Sequence, residues 1–214
     1  MNVFELSGDV GSNYCVNGVW CLTQSRFYDE VSDKWIPALE TKLLDGKNIT
    51  VESRAEYLSR WYVLNSDTLV QSYFILGDFS KLRLSFPLFS ASLKKIFESV
   101  IPDGFEYIEI EKVWAEKQAC PIPGGPFYLA NLLVERDTWD DELTEIYPMT
   151  RVDGTRYESI DGTKKFVQKS KLHGATIWRE CRTNHVLCTQ EVKDILQKAG
   201  VQGIHFQSVR VSDK

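Results

Sequence analysis

The chain predicts an α+β fold: twisted mixed or antiparallel sheets built around a duplicated strand-helix-strand unit at 86–110 and 185–209. Three observations predict it. Residues 86–110 re-read without gaps as 185–209, every partner lying 99 positions on, so that Phe86-Pro-Leu-Phe-Ser90 matches His185-Val-Leu-Cys-Thr189 and Asp103-Gly-Phe-Glu-Tyr107 matches Gln202-Gly-Ile-His-Phe206. Within each copy apolar residues fall at helical spacing, first Leu93, Ile96, Phe97 and Val100, then Val192, Ile195, Leu196 and Ala199. After each copy's glycine the chain turns aromatic and β-branched, in Phe105–Ile110 and Ile204–Val211, which is strand composition.

Taken in order, Tyr14–Thr23 reads as a strand or hairpin around Asn17-Gly18. Residues 52–62 have a helix-compatible alternation of charge and apolarity, and Thr68–Leu76 has strand composition. In the paired units, Ser90 and Thr189 stand where a hydroxyl accepts from the free N–H groups of a helix start. Gly104 and Gly203 follow where a positive φ is expected. Pro121–Pro126 holds three prolines and a Gly pair, which predicts a loop with no place in a ladder. Phe127–Val134 reads as a strand or buried segment, Asp137–Ile146 as a short acidic helix or turn ending before Pro148, Arg151–Lys171 as loop-rich, and Ala175–Arg179 as a strand. No flexible linker interrupts the chain, which predicts one body over residues 81–214 with an N-terminal lobe over residues 1–80.

At 214 residues, with 43% hydrophobic and 26% charged side chains, the chain can bury a core without staples. No stretch approaches the ~18 apolar residues of a membrane span, and Met1-Asn-Val-Phe-Glu-Leu6 lacks a signal-peptide pattern. The five cysteines include no CxxC pair, so neither a disulfide framework nor a zinc site is indicated, and a reducing cytoplasm is the expected compartment. The net charge of −5 is unevenly spread: Glu98–Glu145 holds 12 acidic and 3 basic residues, whereas residues 160–214 hold 10 basic and 5 acidic. Such runs are usually solvated faces; the alternative is an acidic surface that steers a basic partner.

Catalytic equipment is sparse. His173, His185 and His205 sit in no HxxxH, HxH or HExxH frame, and neither Gly8–Gly11 nor Gly124-Gly125 opens a phosphate loop, so no metal or cofactor is expected. Cys188 precedes a helix start, where a thiolate is conceivable, but a small buried residue is the better reading. Lys164, Lys165, Lys169 and Lys171 form a short basic cluster around Phe166; with an acidic chain around it, direct nucleic-acid binding is not expected. Carboxylates are plentiful at Glu106, Glu109 and Glu111 and at Asp137, Asp140, Asp141, Glu142 and Glu145, and a solvated face outweighs acid–base chemistry for them. Trp139, embedded in the acidic segment, has the make-up of an interface anchor rimmed by charge, although a buried core position is slightly favoured.

Several segments together resemble a bacterial polymorphic-toxin immunity family, immunity family eleven. Val186–Phe206 looks like its closing pattern, in which a strand and Ser/Thr lead into a helix and a Gly-aliphatic-x-Phe strand. Pro87–Tyr107 is similar to an earlier copy of that pattern. Phe127–Asp137 followed by Trp139-Asp140 resembles an aromatic strand ending in acid, and Ile177-Trp-Arg179 resembles an aliphatic-aromatic-Arg element, with Trp in place of Phe. The resemblance covers roughly 85–211 and implies a non-enzymatic inhibitor that binds the C-terminal domain of a cognate toxin, for instance a nuclease with a basic groove. On that reading Glu106, Glu109, Glu111, Asp137, Asp140, Asp141, Glu142 and Glu145 are the steering contacts and Trp139 the anchor. A small cytoplasmic enzyme using paired carboxylates, or a structural or phage-encoded module, are the competing classes.

Overall fold

The computed structural model describes residues 1–8, 26–29, 34–37, 62–64, 79–81, 87–110, 113–115, 120–121, 125–150, 156–160 and 162–213. They form a mixed α+β protein, mostly strand, with two α-helices. In chain order the first strands are β1 (Val3–Gly8), β2 (Arg26–Asp29), β3 (Lys34–Pro37), β4 (Tyr62–Leu64), β5 (Phe79–Lys81) and β6 (Pro87–Ser90). Helix α1 (Ala91–Val100) is followed by β7 (Phe105–Ile110), β8 (Val113–Ala115), β9 (Cys120–Pro121), β10 (Phe127–Leu132) and β11 (Glu135–Arg136). Then come β12 (Ile146–Thr150), β13 (Arg156–Ile160), β14 (Phe166–Gln168), a 3-10 turn (Lys169–Leu172), β15 (Ile177–Glu180), β16 (Val186–Thr189), α2 (Gln190–Lys198) and β17 (Ile204–Ser212). The hairpin expected at Tyr14–Thr23 and the strand expected at Thr68–Leu76 lie outside the described residues, as does the helix expected over 52–62 apart from Tyr62.

The chain divides into two compact units, one of residues 1–7, 134–199 and 206–214, the other of residues 8–133 and 200–205. The second holds a four-stranded sheet in the order β5-β6-β10-β7. Its neighbouring strands are antiparallel, with Phe89, Tyr128 and Glu109 in one cross-strand row. Helix α1 buries Leu93 and Phe97 on this face, and Phe97 stacks on Phe89 at 5.3 Å and meets Phe105 at 4.9 Å. Ser90 caps α1 as expected, its Oγ accepting from Leu93 N at 3.1 Å. Gly104 does not need a positive φ; a Cβ there would stand 2.5 Å from Ile101 Cδ1, so the requirement is close approach. Pro121, expected in a loop, pairs with Trp114 in the short β8–β9 ladder.

In the first unit six strands run β11-β15-β16-β1-β17-β14. The amino-terminal strand β1 lies antiparallel to β16 with Val3 opposite Thr189 and Glu5 opposite Leu187. One sheet face carries Val3, Trp178, Leu187 and Val209, which pack with Trp139, Val167 and Leu172 into the core. Phe4 faces the other way, and Lys193 Nζ of α2 lies 3.8 Å from its ring centroid, so α2 covers that face with Val192 and Leu196 buried. Thr189, expected to cap α2, makes no such bond: it ends β16, its N–H donating to Thr176 O at 2.8 Å. Gly203 does adopt the expected positive φ, at 87°. Arg151–Lys171 proves less loop-rich than its polarity suggested, since β13 and β14 lie within it; just before it, β12 runs through Pro148.

Glu5 reports on this core's rim. Burial raises the cost of its charge, yet the hydrogen bonds and charges of His185 and Lys165 outweigh that and bring its carboxyl to about 2 from an ordinary 4.5. A carboxyl depressed by folding stabilises the native state above its unfolded value and loses that contribution as pH falls through its folded value. Wild type is therefore expected to exceed Glu5→Gln in stability above pH 4.5, by of order 3 kcal/mol, and to lose the advantage near pH 2, as read by urea titrations across that window.

Candidate partner-binding surface

The acidic segment of the first unit is a turn, not a helix. Asp140 Oδ1 accepts from Glu142 N at 3.0 Å and Leu143 N at 3.2 Å, the short-side-chain geometry that favours turns over helical hydrogen bonding. Strand β14 holds the segment in place: Gln168 N donates to Thr138 O at 2.8 Å, Asp140 N to Phe166 O at 2.8 Å, and Thr144 Oγ1 to Phe166 O at 3.0 Å. Trp139 bridges Val167 and is fully buried, and Asp140 is buried beside it. Their side chains therefore shape the turn from beneath.

The segments of opposite charge meet here. Asp141 pairs with Arg182, and with Lys171 at 3.4 Å; Asp137 lies 3.8 Å from Arg182 and 4.0 Å from Lys171. Arg182 Nε also donates to Glu158 of β13 at 2.7 Å, and Lys164 reaches Glu145 at 2.6 Å. The Arg182 hydrogen bond, aided by Lys171, holds the Asp141 carboxyl below the usual carboxylate range. Burial opposes the charge of Arg182, but Asp141 and Glu158 raise its pKa overall. The Asp137 and Asp141 pairs are layered: those side chains are 53% and 60% exposed, Lys171 and Arg182 27% and 26%. These two carboxylates thus face outward over recessed cations, whereas at the far end of the turn Lys164 is the more exposed partner of Glu145, 57% against 43%. Lys171 stood out only as a member of the basic cluster and Arg182 not at all, because a long-range ion pair leaves no local signature.

The other acids belong to the second unit. On β7, Glu106 and Glu109 point to opposite faces of the sheet, Glu106 opposite Asn131 and Glu109 opposite Tyr128; Glu111 lies outside the described residues. Beneath the acidic turn is a buried polar circuit that sequence reasoning missed. Glu180 is fully buried; its Oε1 accepts from Thr138 N at 3.3 Å, and its Oε2 from Arg182 N at 3.0 Å, Thr183 N at 2.9 Å and Thr183 Oγ1 at 3.0 Å. Trp139 Nε1 donates to Thr183 Oγ1 and Trp178 Nε1 to Thr138 Oγ1, each at 3.0 Å. Burial raises the Glu180 carboxyl above its ordinary value despite these donors.

Asp137, Glu180 and Cys181 bring ligand-type atoms within 4.8 Å of one another. Glu180, however, spends both oxygens on hydrogen bonds, and burial together with Glu180, Asp137 and Glu135 pushes the Cys181 thiol up, against the thiolate a metal needs. Cys188 is buried and its thiol is pushed up to about 12 by that burial, which is the behaviour of a small core residue.

The Immunity protein family (Imm11) matches residues 53–211, close to three-quarters of the chain, taking in the acidic turn and the whole Glu180 circuit. The chain belongs to the Imm11 immunity protein family. The resemblance read from Pro87–Tyr107, Phe127–Asp140 and Val186–Phe206 is thereby borne out, and the Imm11 match begins earlier than those motifs. No curated protein matches the chain. Imm11 membership supports an immunity role, and with it a toxin as partner. No helix of the described residues in this Imm11 chain is long and apolar enough to cross a membrane.

Proposed function

We propose that this Imm11 chain is a cytoplasmic, cofactor-free inhibitor that binds the C-terminal domain of a cognate toxin and blocks it by occupancy, with the Asp137–Glu145 turn as its steering surface. The observation that carries the reading is the layering at Asp137 and Asp141, whose exposed carboxylates stand over cations of half their exposure. An approaching basic groove meets negative potential first. Within the set read from the sequence, Asp137, Asp141, Glu142 and Glu145 are the contacts proposed here, while Trp139 and Asp140 hold the turn's shape. Glu106, Glu109 and Glu111 are proposed as further contacts of the second unit. General-acid catalysis needs a carboxyl that is both held protonated and reachable; Asp141 is held down and Glu180 is enclosed, so neither suits that role.

We also infer that β6-α1-β7 and β16-α2-β17 are copies of one unit. Their strands and helices begin 99 residues apart, and in each an intervening strand, β10 or β1, separates the two strands within the sheet.

The test is association kinetics with the toxin domain encoded beside this gene. Asp137→Asn with Glu142→Gln should slow association about threefold to tenfold at low salt and flatten its salt dependence, with dissociation little changed. An unchanged association rate would remove this turn from the steering surface.

A further inference from the structure

Besides Met1, the exposed large hydrophobic side chains among the described residues all fall in one stretch: Leu143 is 43% exposed, Tyr147 41%, Met149 45% and Tyr157 38%. Strand pairing explains the concentration. Ile146 lies opposite Ile160 in the β12–β13 ribbon, and both pack against the core of the first unit, which fixes that face inward. The period of two then turns Tyr147, Met149 and Tyr157 to the outside, Met149 directly opposite Tyr157. Pairing of two strands alone gives no reason for an aromatic–Met pair to face water, whereas Tyr and Met are enriched in buried interface centres. Leu143 lies three residues before β12, directly after the exposed Asp141 and Glu142. Arg182 joins the two parts, bonded at once to Asp141 of the turn and Glu158 of β13.

We infer that the outward face of the β12–β13 ribbon, centred on Met149 and Tyr157, is the dry centre of the toxin-binding surface, and that the acidic turn is its rim. The inference rests on the immunity reading and deepens it. Charge selects the occupant: the exposed carboxylates at the foot of the ribbon fit a protein surface whose apolar centre is bordered by Lys or Arg, and they disfavour pairing with a second copy that carries the same acids. Steering and holding are then divided between adjacent segments, with the rim governing encounter and the ribbon governing residence time.

The experiment uses the full chain and the toxin domain from the adjacent reading frame, inactivated in its own site, with association and dissociation read separately. Met149→Glu with Tyr157→Ser should weaken binding at least 30-fold, nearly all in dissociation, in a variant whose circular dichroism and thermal midpoint match wild type. Hydrogen exchange on the wild-type complex supplies a reading that needs no variant: amides of 146–150 and 156–160 should slow on binding. If wild type binds and the ribbon neither slows in exchange nor weakens binding when substituted, the ribbon inference falls and the immunity reading stands. If wild type fails to bind the domain or to rescue cells expressing it, both fall. A ribbon variant that turns a dimer into a monomer with toxin binding intact would assign this face to self-association and overturn the inference.

Discussion

Trp139→Ala is expected to lower stability by about 3–5 kcal/mol, the range for deleting a large buried aromatic. The side chain is fully buried in the core with Val3, Val167, Leu172, Trp178, Leu187 and Val209, and its Nε1–H is bonded to Thr183 Oγ1 at 3.0 Å. Alanine leaves a cavity under the acidic turn and strips Thr183 of a donor. In urea the midpoint should fall with the slope unchanged, because native and unfolded surface areas hardly alter. Trp139→Phe keeps most of the packing and loses the hydrogen bond, so about 1–2 kcal/mol is expected, with toxin affinity within twofold of wild type. The opposite pattern, normal stability with lost affinity in Trp139→Ala, would return this residue to the role of interface anchor.

That residue shows what local sequence can and cannot carry. An aromatic among acids, Asp137-Thr-Trp-Asp-Asp-Glu142, is ambiguous until it is known what lies beneath, and what lies beneath comes from β14, β15 and β1, tens to more than a hundred positions away. The helical spacings, a local signal, read correctly. The Leu93, Phe97 and Val192, Leu196 spacings each yield a helix with those side chains buried, and Ser90 caps as its hydroxyl and position suggest. Thr189 has the same local chemistry as Ser90 and also ends its strand, yet its buried hydroxyl makes no cap bond. The β12–β13 ribbon escaped notice since Pro148 and the surrounding polar residues read as loop, whereas its inner Ile146 and Ile160 reach the core only once the strands pair. Charge misleads in the same way: the −9 balance of Glu98–Glu145 and the +5 balance of residues 160–214 look segregated along the chain and partly cancel in space through Lys164, Lys171 and Arg182.

Glu180→Ala is expected to be about as damaging as the tryptophan change, at about 3–5 kcal/mol, for a different reason. Its carboxylate accepts from three backbone N–H groups and the Thr183 hydroxyl, all satisfied by one side chain in a dry place. Removing it leaves Thr138, Arg182 and Thr183 with donors that water reaches poorly. Glu180→Gln keeps one acceptor and turns an NH2 toward donors, so an intermediate loss of about 1–3 kcal/mol is expected. The pH response separates this residue from Glu5. Burial lifts the Glu180 carboxyl above 4.5, so the folded state holds its proton more tightly than the unfolded chain does, and stability falls as pH rises from 4.5 through the raised value. Glu5 gives the opposite slope over the window below 4.5. Glu180→Gln should abolish only the first slope and Glu5→Gln only the second. Thr183 joins Glu180 to Trp139, so the double variant Trp139→Phe, Glu180→Gln should cost less than the separate losses added together. Strict additivity in urea titrations would show that the two act independently and that the circuit is not one energetic unit.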